Sequence, residues 1–289
     1  MNIGMKCNFY IWLGFLCLSF VSCSKDEDEN ASDSTDFATG IVELPALRNG
    51  ANDMFVTHSN TFNGKKVTTF SMEYDKNKKH ARWIAFRFDN QTMQQNVNRK
   101  TGDDPFESDP LVAQDYQRTR SDFGVKGYDR GHICASADRL YSREANDDTF
   151  YYTNMTPQRN GFNSGLWLKL EAKVQTWGRS CTAQDTLYVV KGGTIDKEEH
   201  VLSYIDNNHS KPVPKYYFVA LLFKKSSSFK AIAFWLEHTT TPKSQNLADY
   251  AISIDELEEK TGIDFFPNLN DKLENVVEAT YSVKAWNGL

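Results

Sequence analysis

Five runs rich in β-branched and aromatic residues constrain this chain more than any other feature. They cover Lys66–Tyr74, Ala81–Phe88, Thr186–Val190, Tyr216–Phe223 and Phe229–Trp235. Asn63-Gly64, Gly192-Gly193 and the serines at 226–228 read as turns. Helix signals are fewer. Leu166, Leu170 and Val174 recur every fourth residue, which predicts a helix from about Ser164 to Trp177 that stops at Gly178. A second helix is expected after Ser253, with Asp255, Glu256 and Glu258 giving it an acidic start and Gly262 ending it. Phe265-Phe266-Pro267 then reads as a packed turn. Many antiparallel-type strands and few helices predict an α+β fold, a central mainly antiparallel sheet flanked by helices. There is no G-x-G-x-x-G or Walker loop, so no nucleotide cofactor is indicated.

The first 36 residues read as something other than fold. Lys6 precedes an apolar run from about Phe9 to Val21, short for a membrane span and typical of a signal segment. It ends Val21-Ser22-Cys23, which resembles the lipobox of bacterial lipoproteins and implies cleavage before Cys23 and lipidation of its thiol. An ordinary secretory signal cut elsewhere is the alternative. Residues 23–36 follow as an acidic tether, a solvated linker or, by resemblance to Bacteroidetes lipoproteins, a surface-export signal. The expected division is therefore 1–22 signal peptide, 23–36 tether and 37–289 one domain, on an outer-membrane lipoprotein facing the periplasm or the cell surface. The tether holds six acids and one lysine and the signal holds only Lys6, so residues 37–289 carry a net of −1 out of the chain's −5. A nearly neutral domain argues against binding nucleic acid through bulk charge, but not against a local cationic groove. Cys134 and Cys181 are the cysteines of that domain, either a disulfide or two buried thiols.

Four residues carry chemistry at once: Asp129-Arg130-Gly131-His132, in a strand-like stretch from Tyr128 to Ala135. Strand alternation puts Arg130, His132 and Cys134 on one face, with Gly131 leaving space between the polar side chains. An imidazole titrating near neutrality can take a proton from water, and a guanidinium can grip a phosphate oxygen. His58, His80, His200, His209 and His238 lack such neighbours and read as structural. Tyr151 to Gln158 reads as a strand entering a loop, and Asn163 sits at the start of the first helix. A helix cap alone would explain Asn163. If it starts the helix, Glu171 lies about 12 Å along the axis and about 80° round it. The two would then bracket a hydrated ion rather than both touch it. Mg²⁺, with Mn²⁺ as a substitute, suits this because it keeps several waters, and there is no Cys/His zinc cluster.

Together these residues resemble the DNA/RNA non-specific endonuclease family, the ββα-metal or His-Me finger nucleases. Asp129-Arg130-Gly131-His132 matches its Asp-Arg-Gly-His motif. Thr153-Asn154-Met155-Thr156-Pro157-Gln158 and Asn163-Ser164-Gly165-Leu166-Trp167-Leu168-Lys169-Leu170-Glu171 match the segments that follow it. The resemblance runs from about Asn63 to Trp286. It implies that His132 is the general base and Asn163 the direct metal ligand. It implies that Glu171 orients a water on the metal, with Arg130 and Asn154 supporting the site. It further implies metal-dependent hydrolysis of DNA and RNA, with 5′-phosphate products.

Two departures stand out. The family's upstream arginine has no counterpart just before Phe106-Glu107-Ser108-Asp109; the nearest is Arg99, which an insertion would bring to the phosphate. Gln175 stands where some members have arginine after the glutamate. These departures keep open a catalytically weakened surface lipoprotein that captures nucleic acid, and an enzyme for another phosphodiester. The expected partners are DNA, RNA and, through the lipid, a membrane. The sequence carries no signal for oligomeric state.

Overall fold

The computed structural model describes residues 38–289; the expected signal, tether and lipidated Cys23 lie outside the described residues. Seven strands form the main sheet: β1 (Asp53–Phe62), β2 (Lys65–Asp75), β3 (His80–Phe88), β6 (Thr186–Gly193), β9 (Tyr216–Lys225), β10 (Ser228–Glu237) and β11 (Ala251–Ile252), in that order across it. Every neighbouring pair is antiparallel. Two ribbons stand apart from it, β4 (Tyr128–His132) with β5 (Met155–Arg159) and β7 (Val201–Tyr204) with β8 (Pro212–Pro214). The helices are α1 (Arg143–Asp148), α2 (Asn160–Phe162), α3 (Leu168–Arg179), α4 (Ile254–Thr261) and α5 (Asp271–Ala279). No helix among the described residues is long and apolar enough to cross a membrane.

The inner strands are apolar almost throughout because both sheet faces are covered. Leu187, Val189, Val219 and Leu221 point to one face, against Leu166, Leu170, Val174 and Trp177 of the α3 region. Tyr188, Val190, Ala220 and Leu222 alternate to the other face, against Ile254, Leu257, Phe265, Phe266 and Val277. The result is the expected α+β architecture.

The turn at Asn63-Gly64 is as expected. Both residues take positive φ (51° and 75°), as a two-residue hairpin of this hand requires. Gly192-Gly193 is not a turn but the end of β6. A Cβ on Gly192 would lie 2.4 Å from the Phe218 ring and 2.5 Å from the Arg82 carbonyl, so the glycine marks close packing between strands. α4 begins and ends as predicted, with Ser253 Oγ accepting from the Glu256 N–H and Gly262 left-handed at φ 71°. Strand β1 and helix α5 were not anticipated, since polar residues interrupt the apolar pattern of both.

The disulfide alternative is corrected. Cys134 and Cys181 are free, both buried in the apolar cluster under α3. Cys181 sits beyond the end of α3 with its Sγ 3.6 Å from the Phe88 carbonyl, while the peptide of Cys134 is clamped by Asn154. A chain beginning at Ser24 should therefore release two titratable thiols on unfolding without reductant. Zero thiols before reduction would contradict the structure.

Candidate active site

The β4–β5 ribbon is fixed to the main sheet through β5. Thr156 Oγ1 lies between His80 Nε2 (2.7 Å) and Tyr217 Oη (2.8 Å). The Arg159 N–H donates to His238 Nε2 (2.6 Å), whose Nδ1 faces the Pro214 carbonyl (2.8 Å). Burial pushes the His80 imidazole down to about 3 and that of His238 to about 4, so both stay neutral. His58 bonds Asp109 in the core (3.0 Å). These three histidines are structural, as expected.

Gly131 plays a different part from the one expected. It does not separate Arg130 from His132; its missing side chain makes room for Gln158 across the ribbon. A Cβ there would lie 2.1 Å from Gln158 Oε1 and 2.4 Å from its Cδ. Gly131→Ala should cost about 1–3 kcal/mol in urea unfolding, the range for overfilling a packed site. Gln158→Ala in the same chain should recover part of that loss. Equal stability of Gly131→Ala and the parent would refute the packing argument.

Asn154 was expected to support the site, and it does so from behind the cleft rather than in it. Fully buried, it accepts from the Cys134 N–H (2.8 Å) and donates to the carbonyls of Cys134 (2.9 Å) and Thr149 (2.7 Å). Its amide acts as one more strand partner just past His132. It positions the base and does not line the cleft.

Between the ribbon and α3 lies a cleft of about 350 Å³ lined by Arg99, Arg130, His132, Asn163, Glu171 and Gln175, among others. His132 is held between aromatic rings, with Phe150 edge-on at 5.2 Å and Phe106 at 5.7 Å. Burial pushes its imidazole down to about 3, and the positive charges of Arg99, Lys191 and Arg130 add to the effect. Nε2 is buried without a hydrogen-bond partner, so proton exchange with the cleft falls to Nδ1.

Asn163 does not cap the helix. The helix starts at Asn160, and residues Asn163–Trp167 form a wide π-type turn between α2 and α3. Gly165 leaves helical geometry there (φ −109°, ψ −109°). The turn changes the phase of everything after it. In a regular helix Glu171 would sit about 80° round from Asn163. One extra residue absorbed by the wide turn removes about 100°, leaving about 20°. Asn163 and Glu171 thus share one face and line one cleft.

Asp129 orients the amide. Asn163 Nδ2 donates to Asp129 Oδ2 (2.9 Å), and Asn160 Nδ2 donates to the other Asp129 oxygen. With its NH₂ held this way, Asn163 turns its carbonyl oxygen to the other side, as a hard oxygen donor for a cation. Glu171 lines the same cleft, 9% exposed. Burial pushes its carboxyl up to about 8, Asp138 adds to this, and Lys191 and Arg99 oppose it. A cation beside it would favour the ionised form. A carboxamide oxygen, a carboxylate that can hold a metal-bound water and room for more water fit Mg²⁺ or Mn²⁺ better than zinc, which prefers nitrogen or sulfur ligands. Among the described residues, the one group of three carboxylate, imidazole or thiol ligands lies elsewhere, on α4 and α5.

The cations are braced. Arg130 lies over Phe106 (4.0 Å) and pairs with Asp104 (2.6 Å). Arg99 comes into the cleft with its guanidinium 4.9 Å from the Phe150 ring. Beneath Glu171, the fully buried pair Lys191–Asp138 (2.6 Å) sets the local charge, and Gln175 Nε2 donates to Asp138 (3.0 Å). Sequence reasoning missed Asp104, Phe150, Lys191 and Asp138. A lysine inside an apolar strand was the one signal that could have pointed to Lys191.

The family model for DNA/RNA non-specific endonuclease matches residues 50–272. Mitochondrial endonuclease G of Bos taurus is 25% identical over 213 residues, covering 71% of this chain and 69% of that protein. A nuclease of Nostoc sp. is 30% identical over 220 residues, covering 73% and 75%. Among solved structures, a chain from the crystal structure of the EndoG/EndoGI complex superposes with a TM-score of 0.61 at 18% identity, covering 78% of this chain and 90% of that one.

Proposed function

The chain belongs to the DNA/RNA non-specific endonuclease family and is a nuclease, and we propose that it cuts phosphodiester bonds of DNA and RNA in the cleft between β4–β5 and α3. One observation carries this reading: His132, Arg130, Arg99, Asn163 and Glu171 all face that cleft. His132 takes a proton from water as the water attacks phosphorus in line with the leaving sugar oxygen. The phosphodiester brings negative charge that offsets Arg99 and Arg130, which raises the proton affinity of the imidazole as the substrate arrives. Arg130 and Arg99 donate charge-assisted hydrogen bonds to phosphate oxygens. Asn163 would hold a divalent cation directly and Glu171 one of its waters; the cation, Mg²⁺ with Mn²⁺ as substitute, would supply Lewis-acid charge to the phosphate and the departing oxygen. Departure of the 3′ oxygen leaves 5′-phosphate ends. Contacts made to backbone phosphate alone give low sequence specificity.

A weakened protein that only captures nucleic acid is not favoured over this reading, because base, amide, carboxylate and both guanidiniums are in place. Plasmid and RNA incubated with Mg²⁺ should both be degraded, and EDTA should stop both reactions. The new ends should accept label from a kinase only after phosphatase treatment. Retention of plasmid without cutting in any divalent metal would support the capture protein instead. Cut ends that carry 3′-phosphate would sink the leaving-group assignment.

The Ser22-Cys23 junction and the acidic residues after it support a lipid anchor in a bacterial outer membrane. Labelling with a palmitate analogue should mark the chain and be lost in Cys23→Ala.

A further inference from the structure

On the sheet face opposite α3, the C-terminal helix pair gathers acids that the nuclease reading does not use. Asp255 and Glu258 lie three positions apart on α4, so they share a face. Glu278 comes from the last turn of α5, where the helix dipole disfavours an anion. One carboxylate oxygen from each lies within 4.8 Å of the others. Oxygens around a single Ca²⁺, bound at about 2.3–2.6 Å, span about that distance. Glu278 separates this group from an ordinary acidic surface. It is 4% exposed, and its Oε1 is buried with no hydrogen-bond partner.

We propose that Asp255, Glu258 and Glu278 form a structural Ca²⁺ site that ties α4 to α5. Glu258 Oε1 accepts from the Phe265 N–H (2.7 Å), which leaves its other oxygen for the ion. Among the described residues, none of the three makes an ion pair. The lysine of α4, Lys260, turns to Glu256 (3.3 Å). Asp264 and Glu274 add further negative charge nearby. Burial, together with these neighbours, pushes the Glu278 carboxyl up to about 9, and Glu258 rises to about 7, chiefly through burial. A divalent cation removes that conflict. An all-oxygen set completed by water suits Ca²⁺, which accepts irregular coordination. Mg²⁺ demands a near-ideal octahedron and sheds water reluctantly. Ile254 and Leu257 of α4 and Val277 of α5 enter the same apolar cluster, so the ion would hold the C-terminal segment onto the sheet.

The test must exclude the cation of the cleft, so the parent is the full-length chain carrying Asn163→Ala. Equilibrium dialysis with radioactive Ca²⁺ should find one ion per chain, and millimolar Ca²⁺ should raise its thermal midpoint by a few degrees. Adding Asp255→Asn and Glu258→Gln should abolish both effects. In EDTA this variant should melt no lower than the parent, because repelling charges are gone and the fold is intact. Glu278→Gln alone should weaken Ca²⁺ binding at least tenfold. A parent that binds no Ca²⁺ at millimolar concentration, or an Asp255→Asn/Glu258→Gln chain that binds it equally well, would overturn the proposal and leave a proton-sharing carboxyl cluster.

Discussion

His132→Ala is expected to lower plasmid cleavage by about 10²–10⁴-fold, the usual share of a general base, with little change in DNA binding. Binding persists because Arg99 and Arg130 face the same cleft and remain. The imidazole also fills space between Phe106 and Phe150, so alanine leaves a small cavity. His132→Gln keeps more of that volume and should lose activity to the same extent. Matching melting curves would separate chemistry from folding. A His132→Gln chain that nicks plasmid at the parental rate would end the assignment.

The pH profile adds an independent check on the same residue. The imidazole of the free protein lies near 3, so its base form is present throughout ordinary working pH. Activity controlled by a base falls as pH drops through its pKa, so kcat/KM should show no acid limb from His132 near 6.5. Glu171 behaves differently. Its carboxyl is raised to about 8 without a cation, so lowering pH protonates it and weakens cation binding. An acid limb that moves to lower pH as Mg²⁺ is increased therefore belongs to Glu171. A limb near 6.5 that ignores Mg²⁺ would instead mean that burial and the field of Arg99, Lys191 and Arg130 do not hold His132 down.

What the sequence discloses and what it hides divide along physical lines. The strand runs are legible because both faces of an inner strand are apolar, and the same feature disguised Gly192-Gly193 as a turn. Their role lies in the Phe218 ring and the Arg82 carbonyl, which are remote in sequence. His132 and Arg130 are legible because alternation along one strand fixes their common face. Arg99 is not legible by spacing, because an irregular segment carries it to the Phe150 ring. The angle between Asn163 and Glu171 round the helix was misjudged for a definite reason. A regular helix is the natural assumption for Leu166, Leu170 and Val174, and a wide turn gives no clear sign in composition. Only the backbone angles at Gly165 disclose it. For Asn154 the motif position is legible, but that it serves the backbone rather than the cleft is not.

That wide turn leads to the second large effect. Asn163→Ala removes the direct side-chain donor for the cation and is expected to cost about 10³-fold in cleavage at millimolar Mg²⁺, since Lewis-acid charge contributes several kcal/mol. Asp129→Ala leaves Asn163 present but releases its NH₂, so the carbonyl is no longer fixed. Loss of such an orienting partner typically costs about 10–100-fold in metal affinity or activity. The two variants should differ in kind as well as size. Raising Mg²⁺ should restore much of the rate of Asp129→Ala, because its ligand still exists, and little of Asn163→Ala. Deleting Gly165 should regularise the helix and leave Asn163 and Glu171 seven residues apart, about 20° round the axis and still on one face. That chain keeps both residues on the shared face, so it should retain cleavage at least at the level of Asp129→Ala. If the deletion variant folds yet loses cleavage as severely as Asn163→Ala, the shared face is not what brings the amide and the carboxylate to one cation.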